Sequence, residues 1–224
     1  MSPWFDIGMV WRFLAPLLSF LPVTLGIFAG GAVLGLVAGL VLAVCRVYRL
    51  PGLSSLAWLV VSYARGVPVL VQLMIAYYIL PQWLGPRAEA VPAIAFVIAA
   101  YGLYLGANFS EAFRSAIGSL DRGQLEAASS IGMTPWQTFR RVVLPQAAAA
   151  ALPDTGNILL VGLKSTSLAF SVGIMDMVGR GQALGAQTMR SFEVFVALSI
   201  IYYTMSLMLE WLLRRADRPF QRYR

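Results

Sequence analysis

The sequence predicts an all-α, polytopic membrane protein with about five transmembrane helices. Three observations carry that prediction. The chain is 59% hydrophobic over 224 residues, with a mean hydropathy of +0.74. Its apolar residues gather into long runs, each of a length to cross a bilayer. Its arginines sit beside those runs, as expected of segments held on the cytoplasmic side. Residues 1–224 form a single membrane domain, with little chain left for a soluble one.

Composition removes several functions. The net charge of +7 is no nucleic-acid footprint, because no basic strip interleaves with aromatics. Histidine is absent, and no aspartate pair or activated serine marks an intramembrane enzyme. Cys45 reads as a small apolar packing residue. The run Gly162-Leu163-Lys164-Ser165-Thr166, with Gly156 before it, lacks both the spacing and the Gly-Lys step of a phosphate-binding loop. The chain therefore does not bind ATP that way. Asp6 and Arg12 precede an apolar run far longer than a signal core, so no cleavable signal peptide is expected.

Residues 1–16, with Trp4, Trp11 and Pro16, read as an interfacial lead-in. Leu17 to Cys45 is the first span, about 43 Å long as a helix. Its Gly26, Gly30, Gly31, Gly35 and Gly39 let another helix approach closely, and packing within the bundle is favoured over a separate dimer motif. Arg46 and Arg49 mark the cytoplasmic end, and Pro51-Gly52 makes the turn. Leu56 to Leu80 is the second element, interrupted at Arg65-Gly66-Val67-Pro68. Arg65 either snorkels to lipid phosphates or braces the polar loop described below. Gln72 is the polar exception deeper in, and Tyr77, Tyr78 and Trp83 form a belt at the opposite interface.

Arg87 and Glu89 cancel in the loop that follows. Ala90 to Ser110 is the third span. Its Tyr101, Tyr104 and Asn108 fall three and four apart, on one face, and either line a path or bond between helices. Asp154 to Val178 is the least regular span, interrupted by Asn157, Lys164, Ser165, Thr166, Ser167 and Asp176. Lys164, about 16 Å along the helix from Pro153, is costly near a bilayer centre. It either lines or gates the path, braces the interior, or sits on a helix shorter and shallower than these bounds imply. Val178 to Arg190 is an external loop with room for a small helix, and Phe192 to Leu213 is the last span. Glu193 and Glu210 lie near its ends, so neither is expected to be deeply buried. The tail is basic. With five spans, Arg46, Arg49, the polar loop and the tail share one side, which puts the amino terminus outside and the carboxy terminus in the cytoplasm.

Between the third and fourth spans runs the polar stretch 111–153. Asp121 to Gly132 reads as a short helix, capped by Asp121 and stopped at Gly132. Thr134-Pro135 starts another, and Pro145 and Pro153 punctuate the return to the membrane. By its chemistry the stretch is either an ordinary cytoplasmic loop or a docking element.

The ordered set Arg65-Gly66-x-Pro68, Gly123-Gln124-x-Glu126-Ala127-Ala128, Gly132, Leu144-Pro145-Gln146-Ala147 and Leu163-Lys164-x-Thr166-Ser167-Leu168 resembles the polar amino acid branch of bacterial ABC-importer permeases. The resemblance covers roughly residues 18 to 213. Asn108 stands after Gly106-Ala107 where that family usually has tyrosine, and Ser165 where it often has an acid.

The resemblance implies a type I ABC importer transmembrane domain in the bacterial inner membrane. It implies a second permease subunit, the same chain or a homologue, two cytoplasmic ATP-binding subunits, and an external solute-binding protein. ATP and magnesium would sit on the partner ATPase, with no cofactor on this chain. Gly123, Gln124, Glu126, Ala127, Ala128, Gly132 and Pro145 would couple to the ATPase, supported by Arg65 and Pro68. Gln72, Tyr101, Tyr104, Asn108, Asn157, Lys164, Thr166 and Ser167 would be candidates for the path. The cargo would be a polar amino acid or related solute. A membrane scaffold without its own path is the alternative.

Overall fold

The computed structural model describes residues 5–223, with the side chains of Arg87, Glu89, Arg222 and Tyr223 outside the described set. Trp4 of the lead-in and the expected cancellation of Arg87 by Glu89 therefore lie outside the described residues. Among the described residues the fold is all-helical.

The lead-in contains a helix of its own. Helix α1 spans Ile7–Leu18, and the Asp6 carboxylate caps it by accepting from the Gly8 N–H at 2.8 Å. Helix α2, Leu21–Val47, begins afresh with a proline in its first turn, so the first span starts later than Leu17. Leu17 is instead buried with Val10 and Phe13, one face of α1, against the last two helices of the chain.

Helix α3, Leu53–Gly66, is followed by α4, Val69–Met74, a wide turn of helix over Ile75–Ile79, and α5, Leu80–Leu84. The path turns by 110° between α3 and the segment Val69–Leu84. Pro68 causes this: it pushes Val67 into an extended conformation (φ −101°, ψ 134°) that no helix can continue through. A tight helical turn, Gly85–Ala90, then leads to α6, Ala93–Gly118. This helix runs well past the expected end at Ser110.

Helices α2 and α6 form the centre. A Cβ built on Gly31, Gly35 or Gly39 would fall 2.8, 2.9 or 2.7 Å from the Cβ of Tyr101, Leu105 or Phe109. Gly102 and Gly106 answer from the other side, against Leu34 and Ala38. The glycine spacing thus serves packing inside the bundle.

Helices α7, Arg122–Ser130, and α8, Pro135–Thr138, make a small hairpin beyond the end of α6. After a wide turn at Phe139–Val143, α9 spans Leu144–Ser165 and continues through Pro153. Pro153, expected to punctuate the return to the membrane, does not interrupt the helix. A proline removes one backbone bond, and packing of α9 on α6 keeps the helix whole. A tight turn of helix, Thr166–Val172, bends by 55° into α10, Met177–Thr188, and α11, Ser191–Asp217, closes the fold. The expected external loop is thus largely α10.

Among the described residues three helices are long and apolar enough to cross a membrane, and up to five spans result if each bent pair counts as one. Glu193 lies in the first turn of α11, near the end of the span as expected, yet neighbouring chain covers it and leaves it 2% exposed. Its carboxylate accepts from Arg190 Nη1 at 2.9 Å and from the Asp6 N–H at 3.2 Å, which offsets burial of the charge.

Candidate functional site

The α7–α8 hairpin is built by local chemistry. The Asp121 carboxylate accepts from the Gly123 N–H at 2.9 Å and so caps α7. At the other end the Gly132 N–H donates to Ser129 O and the Met133 N–H to Ala128 O, with Gly132 at φ +74°. This pair of bonds around a left-handed glycine is a Schellman stop. Two residues later, Thr134 and Gln137 form a reciprocal capping box that starts α8.

The hairpin offers most of its surface to solvent. Among the residues of α7, Ala128 is buried at 4% exposure, whereas Gly123, Gln124, Glu126 and Ala127 all face outward. Glu126 makes no ion pair among the described residues; the capping falls to Asp121. Three large apolar side chains stand beside these residues: Leu125 at 40%, Ile131 at 78% and Trp136 at 66% exposure. Sequence reasoning missed them. Their signal was an apolar residue on an otherwise polar hairpin, which a search for charged motifs passes over.

The candidate path residues divide into two sets. Tyr104, Asn108 and Asn157 line one shallow groove between α6 and α9. Lys164 and Ser167 line another, together with Tyr202. The two grooves meet on one exposed stripe of α9, since Asp154, Asn157, Val161 and Lys164 recur at helical spacing and all face outward in the single chain. The other set is internal. Tyr101 is 1% exposed and its hydroxyl donates to the Ser165 carbonyl. The Thr166 hydroxyl donates to Leu163 O at 2.7 Å. Gln72 is 3% exposed, and its amide nitrogen donates to Ala64 O and Val67 O, each at 2.8 Å, across the 110° bend.

Asn108 spends its amide on its own helix, donating to Tyr104 O at 2.8 Å. Pro145 sits in the first turn of α9, where its missing N–H costs nothing. Arg65 lies 3.5 Å from Glu111 of α6, beside the start of the polar stretch. That carboxylate also holds Arg46 at 2.7 Å and Arg114 at 2.8 Å. By sequence Arg46 had no acid nearby; folding brings one from α6.

The sequence profile of binding-protein-dependent transport system inner membrane components matches residues 31–222. The L-cystine transport system permease protein TcyL of Bacillus subtilis (strain 168) is 42% identical, over 97% of this chain and 92% of its own length. The glutamine transport system permease protein GlnP of Escherichia coli (strain K12) is 31% identical, over 96% of this chain and 97% of its own. A crystal structure of an amino acid ABC transporter with histidines superposes with a TM-score of 0.86 at 29% identity, covering 98% of this chain and all of that one (100%).

Proposed function

We propose a transport cycle from one premise: the chain belongs to the family of binding-protein-dependent transport system inner membrane components. It is the membrane-spanning, non-catalytic permease subunit of an amino-acid ABC importer. The cargo is a polar amino acid or a related solute. What supports this is the pair of relatives that align over nearly their whole length, one named for L-cystine and one for glutamine.

The segment 111–153 is the coupling loop. Its α7–α8 hairpin inserts into a cytoplasmic ATPase subunit, and closure of that subunit on ATP moves α6 and α9. The observation that carries this assignment is the exposure of α7 on nearly every side. A hairpin that leaves Leu125, Ile131 and Trp136 in water lacks the partner that would stabilise it. Gly123, Gln124, Glu126 and Ala127 form the docking face, Ala128 seats α7 on its own chain, and Gly132 and Pro145 set the angles at which the hairpin leaves and the membrane helix begins. Arg65 and Pro68 support the coupling from the α3 bend.

Two permease subunits, the same chain or homologues, meet to form the path. The polar stripe Asn157–Lys164 supports this reading, because it is costly against lipid and suited to a wet interface between subunits. Tyr104, Asn108, Asn157, Lys164 and Ser167 line the path, while Gln72, Tyr101 and Thr166 brace the helices behind it. An extracytoplasmic binding protein delivers cargo. The amino terminus lies outside, and the basic end of α11 faces the cytoplasm, consistent with Arg214, Arg215 and Arg218.

The test is uptake by proteoliposomes holding the permease, its ATPase subunits and its binding protein, with labelled L-cystine and L-glutamine. Uptake that needs both ATP and the binding protein is expected. ATP-independent flux would make the chain a channel, and stable assembly without uptake of any polar amino acid would make it a scaffold.

A further inference from the structure

We propose that Glu111 is the positioning residue that ties the α3 arm to the α2–α6 pair, so that motion of the α7 hairpin reaches the bend at Val67–Pro68. Its functional half rests on the importer assignment above.

Three arginines from three helices converge on this one carboxylate. Oε1 lies 2.7 Å from Arg46 Nη1, near the end of α2, and 3.5 Å from Arg65 Nη1, at the end of α3. Oε2 takes the fork of Arg114, one turn along α6, from Nε at 3.1 Å and Nη2 at 2.8 Å. Arg46 also donates to Ser110 Oγ at 3.5 Å. Both carboxylate oxygens are thus engaged, and the surrounding charge is three cations against one anion. Removing the carboxylate leaves three guanidinium groups repelling one another where α2 and α3 end beside α6.

The contacts are unequal, and the inequality assigns roles. Arg46 and Glu111 are sheltered, at 13% and 19% side-chain exposure, and they join helices already locked by glycine contacts. Arg65 is 50% exposed and its contact is the longest of the three. Half-exposed pairs of that length add little to stability. This one matters for where it sits. Helix α3 packs on the central pair through Val61 and Ala64 against Ala107. Two residues beyond Arg65 the chain reaches Val67 and the 110° turn that Gln72 clamps. From the other direction, α6 passes through Ser119 and Leu120 directly into the cap of α7. Glu111 is therefore the place where a pull on α7, carried up α6, can be handed to α3 and the bent arm.

The complete complex of permease, ATPase subunits and binding protein, held in lipid nanodiscs, tests this in two ways. Spin labels on Leu59→Cys of α3 and Ser115→Cys of α6, in a Cys45→Ala background, report the tie directly. A single narrow distance distribution is expected with Glu111 present, and a longer, broader one in Glu111→Gln. An unchanged distribution in Glu111→Gln overturns the proposal. The second readout is stimulation of ATP hydrolysis by the binding protein. It is expected to fall at least about fivefold in Glu111→Gln, with the ATPase subunits still copurifying. Glu111→Asp, which keeps the charge, should retain most of the stimulation. Arg65→Gln added to Glu111→Gln should cost nothing further, because both remove one shared contact. Additive losses overturn the tie. A parent complex without any stimulation would instead defeat the importer assignment, and the distance measurement would still decide the role of Glu111.

Discussion

A Cβ on Gly39 would lie 2.7 Å from the Cβ of Phe109 and 2.9 Å from the carbonyl oxygen of Gly106. Real side chains do not approach so closely, and one of the two obstacles is backbone. The central helix pair therefore meets through bare backbone at this point. Gly39→Ala is expected to destabilise the folded permease by about 1–3 kcal/mol through overpacking. Gly26→Ala is the control, because nothing stands within 4 Å of its Cβ position, and its effect should stay within about 0.5 kcal/mol. Thermal unfolding in detergent compares the two, and equal shifts would refute the contact.

The Gln72 amide nitrogen donates to Ala64 O and Val67 O across the bend. Gln72→Leu leaves Ala64 O and Val67 O without their donor, at an expected cost of about 1–3 kcal/mol. If Gln72 braces, the variant lowers thermal stability and leaves the apparent KM for cargo where it was. A raised KM with unchanged stability would put the amide in the path.

The turn after α7 needs a left-handed residue at Gly132, where φ is +74° and nothing crowds the Cβ position. Gly132→Val should therefore be strained by at least about 1–2 kcal/mol, whereas Gly132→Asn should be tolerated. In proteoliposomes, uptake is expected to collapse with Val and survive with Asn, while both proteins reach the membrane. Equal uptake by the two would show that the hairpin's angle does not matter.

Ile131 stands 78% exposed at the tip of the hairpin. If the ATPase subunit covers it, Ile131→Asp buries an unpaired charge and weakens assembly about tenfold or more. Titration of ATPase subunits against the permease measures this. Ser129→Asp, also on an exposed position of α7, separates the effect of the apolar contact from that of added charge. Undiminished affinity in Ile131→Asp would remove that residue from the interface.

Much of this protein was legible in the chain alone, because its governing forces are local. Apolar runs of bilayer length determine spans, Asp121 and Gly132 determine where α7 begins and ends, and Pro68 determines that α3 cannot continue. The glycine spacing announced a close helix contact. None of these required knowing what lies across the fold.

What tertiary structure alone decided is which helix meets which. The glycines of α2 could not name α6 as their partner, and Arg46 could not name Glu111, because sequence separation carries no record of spatial approach. Glu193 stands near a helix end as its sequence position implied, but that the Asp6 backbone and Arg190 close over it could not be read from the chain. Pro153 looked like a break, yet packing on α6 and α11 holds α9 through it. In each case a long-range contact overrode a local preference: burial and ion pairing depend on neighbours that only the folded bundle supplies.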